Sequence, residues 1–237
     1  MIVGDILKQY AEGNRSFQNV CLKEVDILSA YLHGINFNQA DLRQTRLGKT
    51  NFSRASFREA DLSEALLWGS DLSEADLYRA MLREADLSGA RLTYANLEWA
   101  DLSKATLSGT NLTYARLFRA RLFEADLRPT SDQVTDLGYA VLTNADLCYA
   151  NLSGALLYRT KLDGARLCRA HLGRGHQPEF APTDLTEANL QGADLSYADL
   201  SGAILRRANL KDADLTGAIL AEADLQNAVM PDGTIHA

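Results

Sequence analysis

The chain has 237 residues, 46% of them hydrophobic, and 31 acidic against 24 basic side chains give it a net charge of −7. That is enough apolar material for a packed core, and the composition is not that of a disordered chain. The acidic balance argues against general binding to nucleic acid or to an anionic membrane, since both demand a basic surplus.

At the N-terminus, Met1 to Lys8 has no basic segment followed by an apolar run, so no secretory signal is expected. Residues 3–12 can form a short helix with Ile6, Leu7 and Tyr10 on one side, and Gly13 and Asn14 stop it. Residues 1–14 are therefore expected to be a helical cap on the remainder of the chain.

From residue 15 to about 232 the chain repeats every five residues. One column of positions begins at Phe17 and runs unbroken to Leu127, resumes from Leu137 to Leu172, and resumes again from Leu185 to Leu225. Of these forty positions 35 are Leu, and the others are Phe17, Ile27, Phe37, Phe52 and Phe57. The position two before each is Ala in 29 cases and otherwise mostly Val, Ile, Thr or Ser, with Arg15 the exception. A step of five rotates a helical side chain by about 140°, which scatters the leucines around the axis. On a straight strand an odd step sends alternate leucines to opposite faces. All can share one interior only if the chain turns once per repeat, so that each repeat is one short side of a coil and coils stack. The other three positions carry Asp, Asn, Ser, Thr, Arg, Glu, Tyr and Gly, which suit solvent and tight turns.

Two interruptions fall at about 128–136 and 173–182. In the first, Asp132 stands where a Leu is due. A buried unpaired carboxylate is costly, so this side should bulge outward, with Val134 dipping in. In the second, Gly173 to Gln177 shifts the register: from Leu172 to Leu185 is thirteen residues, and Phe180 fits the later register, which reads as a three-residue insertion. Arg174, His176 and Gln177 form a candidate recognition loop, since loops on rigid scaffolds often carry binding. At the end, Met230 to Ile235 is expected to turn and close the last coil, leaving 233–237 as a tail.

The unit Ala60-Asp61-Leu62-Ser63-Glu64, and again Ala193-Asp194-Leu195-Ser196-Tyr197, resembles the pentapeptide repeat family, over about residues 15–230. The resemblance implies an all-β fold, a right-handed quadrilateral β-helix with four repeats per coil. At about 4.8 Å per coil, ten to eleven coils make a rod about 50 Å long. Short helices precede the repeats in cyanobacterial members of the family, which points to a cyanobacterial-type member.

Chemistry for catalysis is missing. No nucleophile–base set, P-loop or dinucleotide fingerprint occurs, and His33, His171, His176 and His236 have no metal-ligand spacing. No enzyme activity, cofactor or metal is expected. The three cysteines are an odd, sparse set that suits a reducing, cytoplasmic setting. Cys148 and Cys168 stand twenty apart at equivalent outward positions, stacked as two thiols or as a redox-dependent disulfide.

Read at intervals of twenty, one column alternates arginine with aromatic rings: Arg79, Trp99, Arg119, Tyr139 and Arg159. Tyr78, Phe118 and Tyr158 stand beside it. Such residues can stack as a structural ladder, and they are also what protein interfaces are made of. Glu64, Glu84 and Glu124, interrupted by Lys104, read as a solvated column, and Gly69, Gly89 and Gly109 as a smooth strip.

Two functions compete. The first is a structural or protein-interaction module with an unidentified protein partner, no direct nucleic-acid or membrane binding, and a monomeric or weakly end-to-end dimeric state. The second comes from the resemblance, since some members that confer quinolone resistance mimic DNA, inhibit a type II topoisomerase and dimerise through a C-terminal extension. This chain shares their acidic balance but has no obvious dimerising helix after Leu225, and its acids are mixed with bases.

Overall fold

The computed structural model describes residues 3–174 and 181–237, and the candidate loop residues His176 and Gln177, with Phe180, lie outside them. One helix, α1 (Val3–Ala11), precedes the repeats. Its Ile6 is buried against the first coil, and the Tyr10 hydroxyl donates to the His33 carbonyl at 2.9 Å, so the helix closes the N-terminal end of the core.

The repeats wind into ten four-sided coils of a right-handed quadrilateral β-helix. Each side is one residue of parallel bridge, twenty residues from its partner in the next coil, as in Ser16 with Asn36 and Asp41 with Asp61. In chain order we name the sides of each coil first to fourth. First sides centre on Phe17, Phe37, Phe57, Leu77, Leu97 and Leu117, and continue through Leu142, Leu162, Leu190 and Leu210. The leucines and the alanines two places before them line the interior and are almost wholly buried. Phenylalanines take four core positions in the first three coils, where Phe17, Phe37, Phe57 and Phe52 pack ring to ring at 5.2–6.0 Å.

One repeat shows why the unit takes this shape. In Ala60-Asp61-Leu62-Ser63-Glu64 the Leu62 and Glu64 amides donate to the next coil, and the Asp61 amide donates to the previous one. The Ala65 amide closes a turn onto the Leu62 carbonyl at 3.0 Å. The remaining amide, Ser63, donates to the Asp61 carboxylate at 3.0 Å, so every backbone donor has a partner. The second turn residue takes a positive φ, 59° at Glu64, as a type II turn requires. Tyr, Trp, Arg and Glu adopt it here as well as Gly, because the coil-to-coil bonds on both flanks hold it.

Both interruptions leave the solenoid at one corner, between the third and fourth sides of coils six and eight. Asn111 pairs with Asp136, 25 residues on, and Leu156 with Asp184, 28 residues on. The insertions are thus five and eight residues within otherwise ordinary coils. The three-residue insertion expected from the leucine register is corrected to eight, and the stretch holding Asp132 is not a side of a coil. Val134 also stays outside, 48% exposed, and Thr135 enters instead. The Thr135 hydroxyl takes the Gly109 amide at 2.8 Å, and Thr183, after the second interruption, takes the Gly154 amide at 2.9 Å. At Thr183 the hydroxyl thus satisfies an amide with no backbone acceptor among the described residues, whereas at Thr135 it is a second acceptor for a Gly109 amide that also reaches the Arg128 carbonyl at 3.1 Å.

The C-terminal end differs. Ile235 pairs back on Val229 in antiparallel sense, the Asn227 amide donates to the His236 carbonyl, and the His236 amide donates to the Ala228 carbonyl, both at 2.9 Å. Leu215, Leu220 and Leu225 are only half-buried, since no complete coil follows them.

Candidate functional site

The insertion of five residues decides which outward side chains meet. Before it, positions twenty apart stack; across it, the step is 25. Arg79, Trp99 and Arg119 therefore form one column, on the corner between the first and second sides, which continues to Asn144 rather than Tyr139. Tyr139 and Arg159 stand one corner earlier, after the fourth side, in line with Tyr94 and Tyr114. The single five-member column expected from the sequence is corrected to two columns one side apart.

On the first corner the Arg119 guanidinium lies 4.9 Å from the Trp99 ring centre and 5.3 Å from that of Phe118, and the two rings meet edge-on at 6.1 Å. One coil below, Tyr78 is held between Arg58 at 4.6 Å and Arg79 at 5.2 Å. Met81 and Arg121 belong to the same corner, since Met81 pairs with Asp101 and Asp101 with Arg121 in the parallel ladder. Sequence periodicity did not single out these two. Their signal is that Met and Arg replace the Asp or Asn that caps most turns.

On the neighbouring corner Tyr94, Tyr114 and Tyr139 stack face to face, 4.9 and 4.8 Å apart with the rings within 7° of parallel. Arg159 caps the stack, donating to the Tyr139 hydroxyl at 3.0 Å and pairing with Glu187 at 2.7 Å. Below the stack Arg54 pairs with Glu74 at 3.0 Å. Tyr158 meets Tyr139 edge-on at 5.4 Å and covers Gly138, where a Cβ would lie 2.3 Å from its ring. Burial holds the Tyr158 phenol above its ordinary value, and Asp136 beside it adds to the effect. Burial likewise raises the Asp136 carboxyl, against the Gly138 amide that favours its charge.

The other columns are quieter. Glu64 takes a bond from Gln44 at 2.9 Å, and Lys104 sits 3.8 Å from Glu124. The Gly69, Gly89 and Gly109 strip is partly roofed by the first insertion: a Cβ on Gly89 would meet Gln133, and one on Gly109 would meet Thr130 and Gln133, at 3.0–3.1 Å. Arg174 is exposed beside Gly202. Cys148 and Cys168 are joined as a disulfide between coils seven and eight, and Cys148 is covered although it lies outside the core cluster. Cys21 is free and exposed. Among the described residues no group of His, Cys, Asp or Glu could hold a metal ion, every buried side-chain polar atom is partnered, and no helix is long and apolar enough to cross a membrane.

The sequence profile of pentapeptide repeats matches in 8 copies, over residues 30–69, 60–98, 70–109, 90–128, 135–174, 183–220 and 208–232. No curated protein matches the chain. Among solved structures it is similar to HetL, a pentapeptide repeat protein involved in heterocyst differentiation regulation from the cyanobacterium Nostoc sp. strain PCC 7120. Identity is 61% over 100% of both chains, with a TM-score of 0.98. Rfr23 from the cyanobacterium Cyanothece 51142 aligns over 52% of this chain and 94% of its own, at 24% identity and a TM-score of 0.37. QnrB1, a plasmid-mediated fluoroquinolone resistance protein, aligns over 90% and 92% at 19% identity and a TM-score of 0.36.

Proposed function

Because the chain belongs to the pentapeptide repeat family, we propose that it is a non-catalytic protein-binding scaffold acting in the regulation of heterocyst differentiation. One observation carries this reading: the likeness to HetL runs from end to end at 61% identity, loops and cap included. Solenoid cores constrain only two positions in five, so identity at that level extends well into the outward positions that a partner would touch. The concentration of exposed aromatic and arginine side chains on coils four to eight supports a protein partner. The rod acts as a monomer or a weak end-to-end dimer in the cytoplasm, with no cofactor.

The test is expression of the chain in Nostoc sp. strain PCC 7120. Heterocyst frequency or spacing should change relative to an empty vector, and an unchanged pattern at confirmed expression would refute the assignment. The competing reading, a DNA mimic directed at a type II topoisomerase, needs a continuous acidic strip. Here the outward carboxylates pair with arginine along much of the rod, as Asp41, Asp76, Glu98, Asp146 and Glu187 do. No inhibition of gyrase supercoiling is expected, and potent inhibition would reverse the ranking.

A further inference from the structure

We propose that the corner between the first and second sides of coils four to six is the docking surface for an acidic segment of a protein partner. This surface rests on the protein-binding reading and adds the chemistry of the segment bound.

Charge is unbalanced at this corner. The chain is acidic overall, and along most of the rod each outward arginine has a carboxylate within reach. Here the relation reverses. Arg79, Arg119 and Arg121 form no ion pair among the described residues, while the carboxylates nearby are already taken. Glu98 is held by Arg116 at 2.7 Å and Asp101 by Arg83 at 3.5 Å. The guanidiniums of Arg79 and Arg119 rest on aromatic faces, which orients them while leaving their donors open. Between them, Trp99 and Met81 are each 42% exposed. Three arginines with free donors around a Trp–Met patch fit a segment that brings carboxylates flanking an apolar side chain. Arg79 and Arg119 lie two coils apart in one column, with Arg121 beside Arg119 in the next, so the carboxylates of an extended segment running along the rod would meet them roughly 10 Å apart, on either side of Trp99.

A nucleic acid strand fits less well. Its phosphates recur without a break along the strand, whereas Trp99 separates Arg79 from Arg119 in this column, so only spaced charges are matched. The neighbouring tyrosine stack is also a poorer candidate, because Arg159 is engaged by Glu187 and Tyr139.

The test uses the full chain carrying Trp68→Phe, so that Trp99 is the sole tryptophan. The probe is a fluorescein-labelled twelve-residue peptide of glutamates around a central leucine. Its controls are the same peptide with lysine for glutamate, and a labelled fifteen-nucleotide oligothymidine. The acidic peptide should bind saturably by anisotropy, shift Trp99 emission in its unlabelled form, and weaken as salt is raised. Arg119→Glu with Arg121→Glu should weaken it by at least about ten-fold, at an unchanged melting temperature. Lys211→Glu, which also removes a cation without a carboxylate partner but lies far along the rod, should leave it within about two-fold. Equal binding of the lysine peptide, preference for the oligothymidine, no saturable binding at all, or equal losses from both charge reversals would overturn the proposal. A heterocyst phenotype that persists in the Arg119→Glu, Arg121→Glu chain would sink this surface while leaving the protein-binding reading intact. An absent phenotype in the unmutated chain would sink the reading itself.

Discussion

A leucine that points inward in one coil touches leucines of the coils on either side, so each is held from two directions. Leu97, in coil five, is fully buried. Leu97→Ala should cost about 2–5 kcal/mol, since the stacked backbone cannot collapse into the space. Urea denaturation reads this directly. The aspartates act differently. Asp41 accepts from Arg43 through both its side chain and its amide, and these bonds, led by the guanidinium, hold its carboxyl down at about 2. A carboxyl lowered on folding stabilises above its unfolded value of 3.8 and loses that contribution as pH falls toward about 2. The melting temperature should therefore drop between about pH 4 and 2, and Asp41→Asn should flatten that drop while lowering stability at neutral pH. Asp136 has the opposite sign: burial raises its carboxyl, so its charge opposes folding at neutral pH. Asp136→Asn keeps an acceptor for the Gly138 amide and should raise the melting temperature at pH 7.

At the scale of elements, the two insertions share a corner and a means of re-entry. Each departs after a third side and returns through a threonine whose hydroxyl accepts from a buried glycine amide of the preceding coil. Thr183→Val preserves the shape but leaves the Gly154 amide buried without an acceptor. The cost should be about 1–3 kcal/mol, with faster hydrogen exchange at Gly154 and little change in coils one to five. Equal loss of protection throughout would mean that the coils do not open separately. The threonines are visible in the sequence as departures from alanine, but their partners are not, because the amide each one meets lies 26 or 29 residues away.

Over the whole molecule the coils behave as a stack in which each unit leans on its neighbours. The N-terminal end is closed by α1, whereas the C-terminal coil keeps half-buried leucines and an exposed Ile219. Unfolding should begin at that end. The disulfide between Cys148 and Cys168 ties coils seven and eight, twenty residues apart. On the unfolded but unreduced protein iodoacetamide should add to Cys21 alone, and to all three cysteines after reduction, as intact mass will report; three additions without reduction would show that the thiols are free.

The five-residue period by itself determined the coil, the inward leucine and alanine positions and the outward identity of the rest, because an apolar group recurring at that interval can face one interior only if the chain turns at every repeat. Helix α1 was legible from Gly13 and Asn14 behind an amphipathic run. The partnership of outward side chains was not. The leucine register survives the stretch around Asp132 intact, yet only bridging between coils reveals that this stretch is extruded, moving Tyr139 and Arg159 to another corner and aligning them with Tyr94 and Tyr114. Periodicity along the chain measures where a residue points, whereas its neighbours depend on how many residues each coil spends before it closes, and hydrogen bonds between coils set that number.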